Sequence, residues 1–188
     1  PKSEYPTSFI LIVPLFHVTG CVPVMLSCFA SGVKLVIMYK WNPERALELI
    51  ERERITTFVG VPTMSWDLLE SPDFATRDTS SLVSVGGGGA PAPPELVRRI
   101  DSSFSKGRPS IGYGMTETNA YGPQNLGDDY VRKPTSSGRT VPTMEVRVAD
   151  GPTGLGAAPV TTVVRAADWP EIADELPGPE DNRLAQPY

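Results

Sequence analysis

The chain has 188 residues, of which 40% are hydrophobic and 21% are charged, a balance typical of a folded globular protein with a buried core. Its net charge of −5 argues against nucleic acid as a partner, because nucleic acids bind basic surfaces. Residues 1–149 contain fifteen acidic and fifteen basic side chains, whereas residues 150–188 contain seven acidic and two basic ones. The negative charge is therefore concentrated at the C-terminal end.

Residues 5–33 contain no Asp, Glu, Lys or Arg, a length of chain that could cross a membrane. Pro14, Gly20, Pro23 and Gly32 interrupt this stretch. A buried strand, a turn and a buried helix explain it better than a transmembrane helix does, so we expect no membrane span.

Cys21 and Cys28 lie seven residues apart in this predicted helix, which corresponds to about 10 Å along a helix axis. A disulfide cannot span that distance, so we expect two free thiols and no cysteine metal site, as in a cytoplasmic protein. The chain has no N-terminal signal sequence and begins with Pro1 rather than methionine, which favours a piece of a longer polypeptide.

Short apolar runs alternate with helical patterns through the first part of the chain. The predicted strands are 9–13, 34–38, 56–61, 82–85 and 109–111. The predicted helices are 43–54, which begins after the capping residue Asn42, 62–69 and 93–104. This alternation predicts an α/β fold with a mostly parallel sheet covered by helices.

The pattern ends after residue 148, because six prolines and four glycines interrupt residues 150–188. We therefore predict two regions: a folded domain at 1–149 and an acidic, Pro/Gly-rich, loosely ordered tail at 150–188. Within the tail, residues 169–176 could form a short helix.

The segment from Pro14 to Gly20 follows the first predicted strand and contains His17, the only histidine. Open α/β sheets bind ligands at the carboxyl ends of their parallel strands, so His17 is a candidate site residue. The alternative is a histidine in a core or turn position that bonds only to the backbone, and the pattern leaves both interpretations open.

Four consecutive glycines at 86–89, followed by Ala90, come after the fourth predicted strand. They could form a flat pocket wall or offer backbone N–H groups to an anion, and the alternative is a loose linker. Neither classical phosphate-binding motif is present. Gly107 and Gly112 have the spacing of a P-loop, but Tyr113 stands where that motif requires lysine.

The most informative segment reads Ile111-Gly112-Tyr113-Gly114-Met115-Thr116-Glu117-Thr118. Tyr113 could stack on a purine, Thr116 could donate to a phosphate oxygen, and Glu117 could hold Mg²⁺. The alternative is a strand-to-loop turn whose polar side chains face solvent.

These three segments, in this order and spacing, resemble the adenylate-forming (AMP-binding) acyl-CoA synthetase superfamily. Residues 58–64 (FVGVPTM) and 136–142 (SSGRTVP) also resemble the family. The resemblance covers roughly residues 8–149 and is closest to the fatty-acyl and 4-coumarate-type CoA ligases. It places the chain in the large N-terminal domain of such an enzyme.

The resemblance implies that a fatty or aryl carboxylic acid reacts with ATP and Mg²⁺ to form an acyl-adenylate, from which coenzyme A displaces AMP. It implies catalytic roles for Thr116, Glu117 and His17, with Glu117 as the Mg²⁺ ligand. His17, Gly88 and Gly89 would contact the acyl substrate. The ATP- and AMP-binding residues would be Gly88, Gly89, Ala90, Gly112, Tyr113, Gly114, Met115 and Thr116.

Parts of the family pattern are missing. The Ser/Thr/Gly-rich phosphate loop that ends in Pro-Lys does not precede the His17 segment, and residues 151–188 match neither the ribose-binding aspartate nor the catalytic lysine region. We therefore expect a central fragment of a ligase that is inactive alone. The alternatives are a nucleotide- or acyl-binding module without catalysis and a non-functional remnant.

Overall fold

The computed structural model describes residues 3–142, 144–149 and 160–165. Most of the described chain folds around one sheet with the strand order β2-β1-β3-β4-β5-β6-β7. The strands of this sheet are β1 (Ser8–Leu11), β2 (Lys34–Ile37), β3 (Thr57–Gly60), β4 (Ser84–Gly88), β5 (Arg108–Gly112), β6 (Pro123–Leu126) and β7 (Arg139–Thr140).

The helices lie between these strands. The α-helices of the described residues are α1 (Ser27–Ser31), α2 (Pro43–Glu53), α3 (Pro62–Glu70), α4 (Pro94–Ser103) and α5 (Gly127–Arg132). A π-helix (Gly20–Leu26) runs directly into α1, and short 3₁₀ turns occupy Pro72–Ala75 and Thr116–Thr118.

Strands β1 to β5 pair in parallel, whereas β6 and β7 are antiparallel to their neighbours. The predicted fold class, a mostly parallel sheet with covering helices, is confirmed. The structure contains a strand at each of the five predicted positions. It also contains a helix at each of the three positions where the sequence predicts one with stated bounds. β6, α5 and β7 were not predicted, because residues 121–140 lack both an apolar run and a helical repeat.

Helix α2 begins and ends where its sequence indicates. The Asn42 side chain accepts a hydrogen bond from the Arg45 backbone N–H at 2.6 Å, and Pro43 occupies the first turn, where its missing N–H costs nothing. The helix ends at Arg54, which adopts the left-handed conformation with φ 52°. Its inward positions, including Leu47 and Ile50, are fully buried.

The sheet has two different faces. On the helix-covered face, which carries Ile10, Phe58 and Val85, the strands and helices α2, α3 and α4 form the hydrophobic core. Side chains alternate along a strand, so the neighbouring residues Leu11, Val59, Gly86 and Ser110 belong to the opposite face. The register confirms this assignment, because Leu11 pairs with Val59, Val59 with Gly86 and Gly86 with Ser110. We call this second side the cavity face.

A separate two-stranded sheet joins β8 (Met144–Ala149) to β9 (Val160–Arg165) in antiparallel register. Strand β9 lies past residue 149, within the region where the sequence predicts a loosely ordered tail, so this part of the tail is a strand. Its β-branched sequence, Val160-Thr161-Thr162-Val163-Val164, is the signal that could have found it. The predicted helix at 169–176 lies outside the described residues.

Both cysteines are free, as predicted, and Cys28 is buried while Cys21 is half-buried. Burial raises the pKa of the Cys28 thiol above its ordinary value. In the part of the chain that the structure describes, no helix combines the length and the apolar character that crossing a membrane requires.

Candidate functional site

The strand order creates a crevice at the carboxyl ends of β1 and β3. These two strands are neighbours in the sheet. The chain goes from β1 to β2 on one side of the pair, and from β3 to β4 on the other side. Open α/β sheets bind ligands at such a reversal, because the connections leave in opposite directions and open a gap between them. The crevice is therefore the first place to look for a site.

A cavity of about 650 Å³ occupies this position. It lies against the cavity face of the sheet and reaches the loops that follow β1, β3, β4 and β5. The residues that line it are Phe9, Val13, Pro14, His17, Val18, Thr19, Pro23, Val24, Val59, Gly60, Val61, Met64, Gly86, Gly87, Gly88, Gly89, Ser110, Ile111, Gly112, Gly114, Met115, Thr116, Ala120, Gln124 and Leu126. All three segments that the sequence singled out meet here.

Most of the predicted site residues line this cavity, and a few do not. The lining includes His17, Gly88, Gly89, Gly112, Gly114, Met115 and Thr116. Ala90, Tyr113 and Glu117 lie next to lining residues but are not among them. Ala90 and Glu117 are exposed, and Tyr113 is half-buried, which raises the pKa of its hydroxyl.

The glycines form part of the cavity floor as residues of a strand. The sequence predicts the fourth strand to end at residue 85, but β4 continues through Gly88. In the sheet register Gly88 pairs with Gly112, and a Cβ atom on Gly88 would lie 3.0 Å from the Gly112 carbonyl oxygen. A Cβ on Gly86 would lie 2.9 Å from Ser110 Oγ. The glycine run is therefore a flat, closely packed surface and not a loose linker.

The position of His17 agrees with both interpretations of its sequence, a backbone-bonded turn residue and a site residue. Its backbone N–H donates to the Pro14 carbonyl at 3.0 Å, and its Nδ1 atom accepts a hydrogen bond from the Thr19 N–H at 3.2 Å. A neutral ring whose Nδ1 accepts carries its proton on Nε2, so that atom is a donor. His17 is thus held by backbone contacts and also lines the cavity. The turn needs Gly20, because a Cβ there would lie 2.6 Å from the Pro14 oxygen.

The loop after β5 folds back on itself. The Tyr113 N–H donates to the Pro123 carbonyl at 2.9 Å, which joins the start of the loop to its end. Gly114 packs so tightly against Ala120 that a Cβ on Gly114 would lie 2.4 Å from the Ala120 carbonyl. Gly122 lies equally close to the backbone of Tyr113, where a Cβ would meet the oxygen at 2.5 Å. These glycines permit close backbone contact, because glycine has no Cβ atom.

No Asp, Glu, Lys or Arg is among the described residues that line the cavity. Its polar side chains are His17, Thr19, Ser110, Thr116 and Gln124, and the rest of the lining is apolar or glycine. The arrangement can donate hydrogen bonds to an anionic group at one end and contact an apolar group elsewhere.

The residues around Thr116 are compatible with a magnesium ion that a nucleotide carries. Within the described ranges, no group of three or more His, Cys, Asp or Glu could hold a metal ion by itself. Mg²⁺ at phosphate sites often takes only one or two carboxylates together with phosphate oxygens and waters. Glu117, directly after the lining residue Thr116, provides one carboxylate, so the residues present fit a metal that arrives with ATP.

Two polar lining residues lie outside the three segments that the sequence singled out. Ser110 lies in a strand that the sequence did predict, and alternation along that strand places it on the face opposite to Pro109. Gln124 belongs to β6 and pairs with Gly112, and no local signal marks it, because its position depends on an antiparallel pairing with β5.

A second cavity of about 610 Å³ lies along β6, β7 and α5 and shares Gln124 and Leu126 with the first. It contains none of the predicted site residues, although most of the family-like segment 136–142 lines it. The first cavity is therefore the candidate site.

Comparison with known proteins agrees with the resemblance seen in the motifs. The model of the family described as "AMP-binding enzyme" matches residues 3–159. The chain is 36% identical over 156 residues to the mitochondrial medium-chain acyl-CoA ligase ACSF2 of Macaca fascicularis, covering 82% of this chain and 25% of that protein. The chain thus spans about a quarter of the length of the curated relatives it matches.

The fold matches the N-terminal domain of FACL13 from Mycobacterium tuberculosis with a TM-score of 0.74 at 24% identity, covering 91% of this chain and 45% of that one. It also matches the o-succinylbenzoate coenzyme A synthetase MenE of Bacillus subtilis, whose structure was solved in complex with ATP and magnesium ion. That match has a TM-score of 0.71 at 23% identity and covers 85% of this chain and 33% of the other.

Proposed function

The chain belongs to the AMP-binding enzyme family, and on this basis we propose that it forms the adenine- and acyl-binding walls of an ATP-dependent carboxylic acid–CoA ligase. The observation that carries the proposal is the single cavity in which the His17 segment, the Gly86–Gly89 run and the Thr116 loop meet. Segments that lie far apart in sequence converge on one crevice of a size suited to a small molecule.

In the proposed reaction, a carboxylate oxygen of a fatty or aryl acid attacks the α-phosphorus of ATP, and the bond to pyrophosphate breaks. The thiolate of coenzyme A then attacks the carbonyl carbon of the acyl-adenylate, and the bond to AMP breaks. Mg²⁺ would neutralise phosphate charge as it develops. The protein's task is to orient the reacting groups and to stabilise this charge.

We assign the nucleotide roles by position around the cavity. Tyr113 flanks the adenine, and Gly88, Gly89 and Ala90 form the wall that adenine and acyl group share. Support comes from the flat Gly88–Gly112 pairing, which leaves room for a planar ring against the backbone. Gly112, Gly114 and Met115 complete the AMP-binding surface.

We assign the reactive roles to Thr116, Glu117 and His17. The Thr116 hydroxyl, at the cavity wall, donates to the α-phosphate, and the Glu117 carboxylate holds Mg²⁺ beside it. His17 lies beside the acyl carboxylate. Its Nε2–H can donate to an oxygen of that group, because Nδ1 is already used by the Thr19 N–H.

We further propose that the 188-residue polypeptide has little or no ligase activity alone. Phosphoryl-group chemistry depends on cationic or metal stabilisation of developing charge, and removing one such contact typically costs about 3 kcal/mol of transition-state stabilisation. The described lining contains hydrogen-bond donors but no Lys or Arg. Pyrophosphate release measured with a panel of fatty and aryl acids tests this, and robust turnover by the purified chain would refute it.

Nucleotide binding is the more direct test of the site. Isothermal titration calorimetry with ATP and Mg²⁺ should detect weak binding that Tyr113→Ala abolishes. Tyr39→Ala is the matched control, because Tyr39 is fully exposed and does not line the cavity. If both variants bind ATP as tightly as the wild type, Tyr113 does not contribute to the site.

A binding module without catalysis is the second candidate, and the uncharged lining favours it. Binding of ATP or of an acyl-adenylate analogue without turnover in the presence of acid and coenzyme A would support this interpretation.

A non-functional remnant would instead bind neither ligand and would associate through exposed apolar side chains such as Phe16 and Phe29. A cooperative unfolding transition in monomeric protein would argue against the remnant.

The division into a partial AMP-binding domain at 1–149 and a separate tail at 150–188 also remains our proposal. A cytoplasmic location belongs to the same proposal and rests on the free thiols of Cys21 and Cys28.

A further inference from the structure

Thr118 ends the short 3₁₀ turn that carries Thr116 and Glu117, and it is not among the predicted site residues. Its hydroxyl lies within hydrogen-bonding distance of both ends of the surrounding loop. Thr118 Oγ1 accepts a hydrogen bond from the Met115 N–H at 3.0 Å, and it lies 2.6 Å from the Tyr121 carbonyl oxygen and 3.1 Å from the Met115 carbonyl oxygen.

A hydroxyl group has one proton to donate, and the shorter distance assigns that proton to the Tyr121 carbonyl. The oxygen remains available to accept from the Met115 N–H. One side chain thus connects the residue before Thr116 with a residue beyond Glu117. The two candidate reactive residues lie between the two points that Thr118 connects.

The backbone beyond Thr118 requires such a connection. Asn119 and Ala120 adopt left-handed conformations with φ of 54° and 63°, and alanine is strained there because its Cβ crowds the backbone. The Ala120 N–H donates to the Met115 carbonyl at 2.8 Å, and the Tyr121 N–H donates to the Thr118 carbonyl at 3.0 Å. Strained conformations persist only where surrounding contacts hold them.

We propose that Thr118 is a positioning residue whose hydroxyl sets the Thr116 hydroxyl and the Glu117 carboxylate in the orientation that the phosphates and magnesium of bound ATP require. The inference rests on the proposed function for the identity of the ligand. Thr118 does not line the cavity and acts only through the loop. It should therefore affect the phosphate and metal end of the ligand much more than the adenine end.

The test compares Thr118→Val, which removes the hydroxyl and keeps the branched shape, with Thr118→Ser, which keeps the hydroxyl. Thr76→Val is the matched control, because the Thr76 hydroxyl also donates to a nearby carbonyl, that of Asp73 at 3.0 Å, but lies outside the cavity. Dissociation constants are measured by calorimetry for ATP with Mg²⁺ and, separately, for adenosine. Thermal unfolding of each variant is followed in parallel.

We expect Thr118→Val to weaken binding of ATP with Mg²⁺ about tenfold, the size of effect that losing one or two hydrogen bonds can produce. Adenosine binding should change less than about twofold, because adenosine has neither phosphate nor metal. Thr118→Ser should restore wild-type values, and Thr76→Val should leave both ligands unaffected. Unchanged ATP affinity in Thr118→Val, or an equal loss for ATP and adenosine, would overturn the proposal.

A measurement without ligand separates this proposal from the proposed function. In Thr118→Val the Met115 amide loses its acceptor, so its hydrogen exchange should accelerate about tenfold and the Thr116 and Glu117 amide resonances should shift. The Thr118→Ser spectrum should match the wild type. If the wild type binds neither ligand, the proposed function fails, while unchanged Met115 exchange in Thr118→Val overturns the positioning role itself.

Discussion

The two faces of the central sheet use the same strands for different purposes. On the helix-covered face, Ile10, Phe58 and Val85 are almost completely buried against α2, α3 and α4. On the cavity face Leu11 is buried as well, but Val59, Gly86 and Ser110 are small or half-exposed and border a cavity of about 650 Å³. The alternation of side chains along each strand thus separates the hydrophobic core from the candidate site.

We expect the largest difference in the free energy of unfolding between substitutions of the adjacent residues Phe58 and Val59. Phe58→Ala should lower the free energy of unfolding by about 3–5 kcal/mol, because the ring is fully buried beside Trp41 and its loss leaves a cavity. Val59→Ala should cost about 1 kcal/mol, because Val59 is half-buried at the cavity wall. Urea unfolding of both variants measures the difference, and equal losses would contradict the separation of the two faces.

Alanine substitutions at different glycines of the cavity face should differ in their effect on the free energy of unfolding. Gly86→Ala should destabilise by about 1–3 kcal/mol, because the new methyl would meet Ser110 Oγ at 2.9 Å and the Phe58 carbonyl oxygen at 3.3 Å. Gly112→Ala is the matched control, since its nearest neighbour, Gln124 Cγ, lies at 3.9 Å. We expect that variant to be neutral or about 0.5 kcal/mol more stable, since alanine lowers the entropy of the unfolded chain. Denaturation midpoints that coincide would show that the floor is not tightly packed.

Substitutions at the exposed edge of the cavity should change binding and not stability. Glu117→Gln should weaken the Mg²⁺-dependent part of ATP binding about tenfold, equivalent to about 1.4 kcal/mol. Its unfolding free energy should stay within about 0.5 kcal/mol of the wild type, because Glu117 is exposed. Glu95→Gln, a change at another exposed glutamate, on α4, should leave the dependence on Mg²⁺ unaltered, and loss of its exposed ion pair with Arg98 should cost less than about 1 kcal/mol of stability. Calorimetric titrations with and without Mg²⁺ would contradict the assignment if Glu117→Gln kept the full dependence on the metal.

The smallest effect concerns an ion pair near the end of α2. Hydrogen bonds from Ser80, with a further contribution from Arg54, lower the pKa of Asp78 from 3.8 to about 2. A carboxyl whose pKa is lowered by folding stabilises the protein above its unfolded pKa and loses this contribution as the pH falls toward about 2. Because the pair is part-exposed, the contribution should stay below about 1 kcal/mol.

The measurement compares wild type with Asp78→Asn in urea at several pH values. The stability difference should be present at pH 6 and should shrink as the pH falls through about 2. A difference that is constant across this range would mean that ionisation of Asp78 contributes nothing.

Much of the fold was predictable because its signals are local. The cap and proline at Asn42 and Pro43 predict the start of α2, and the apolar runs predict the five parallel strands. The family was also recognisable from short motifs, and the match over residues 3–159 confirms it. The roles of His17, Tyr113, Thr116 and Glu117 remain predictions, although the structure brings the segments that carry them around one cavity or its edge.

Other features have no local signal. Strand β6 exists because it pairs with β5, so Gln124 reaches the cavity only through that antiparallel register. The glycine run, which resembles a linker in sequence, is a strand because β3 and β5 bond to it on both sides. The closeness of Gly114 to Ala120 likewise depends on the whole loop.

By itself, the sequence determined the class of fold, the start of α2, the free cysteines and the family, because each of these depends on neighbouring residues or on contiguous motifs. Only the tertiary structure decided that the glycines form a floor, that Ser110 and Gln124 join the cavity, and that the Thr118 hydroxyl holds its loop. The reason is physical: these features depend on contacts between groups that become neighbours only when the strands pair and the loop closes.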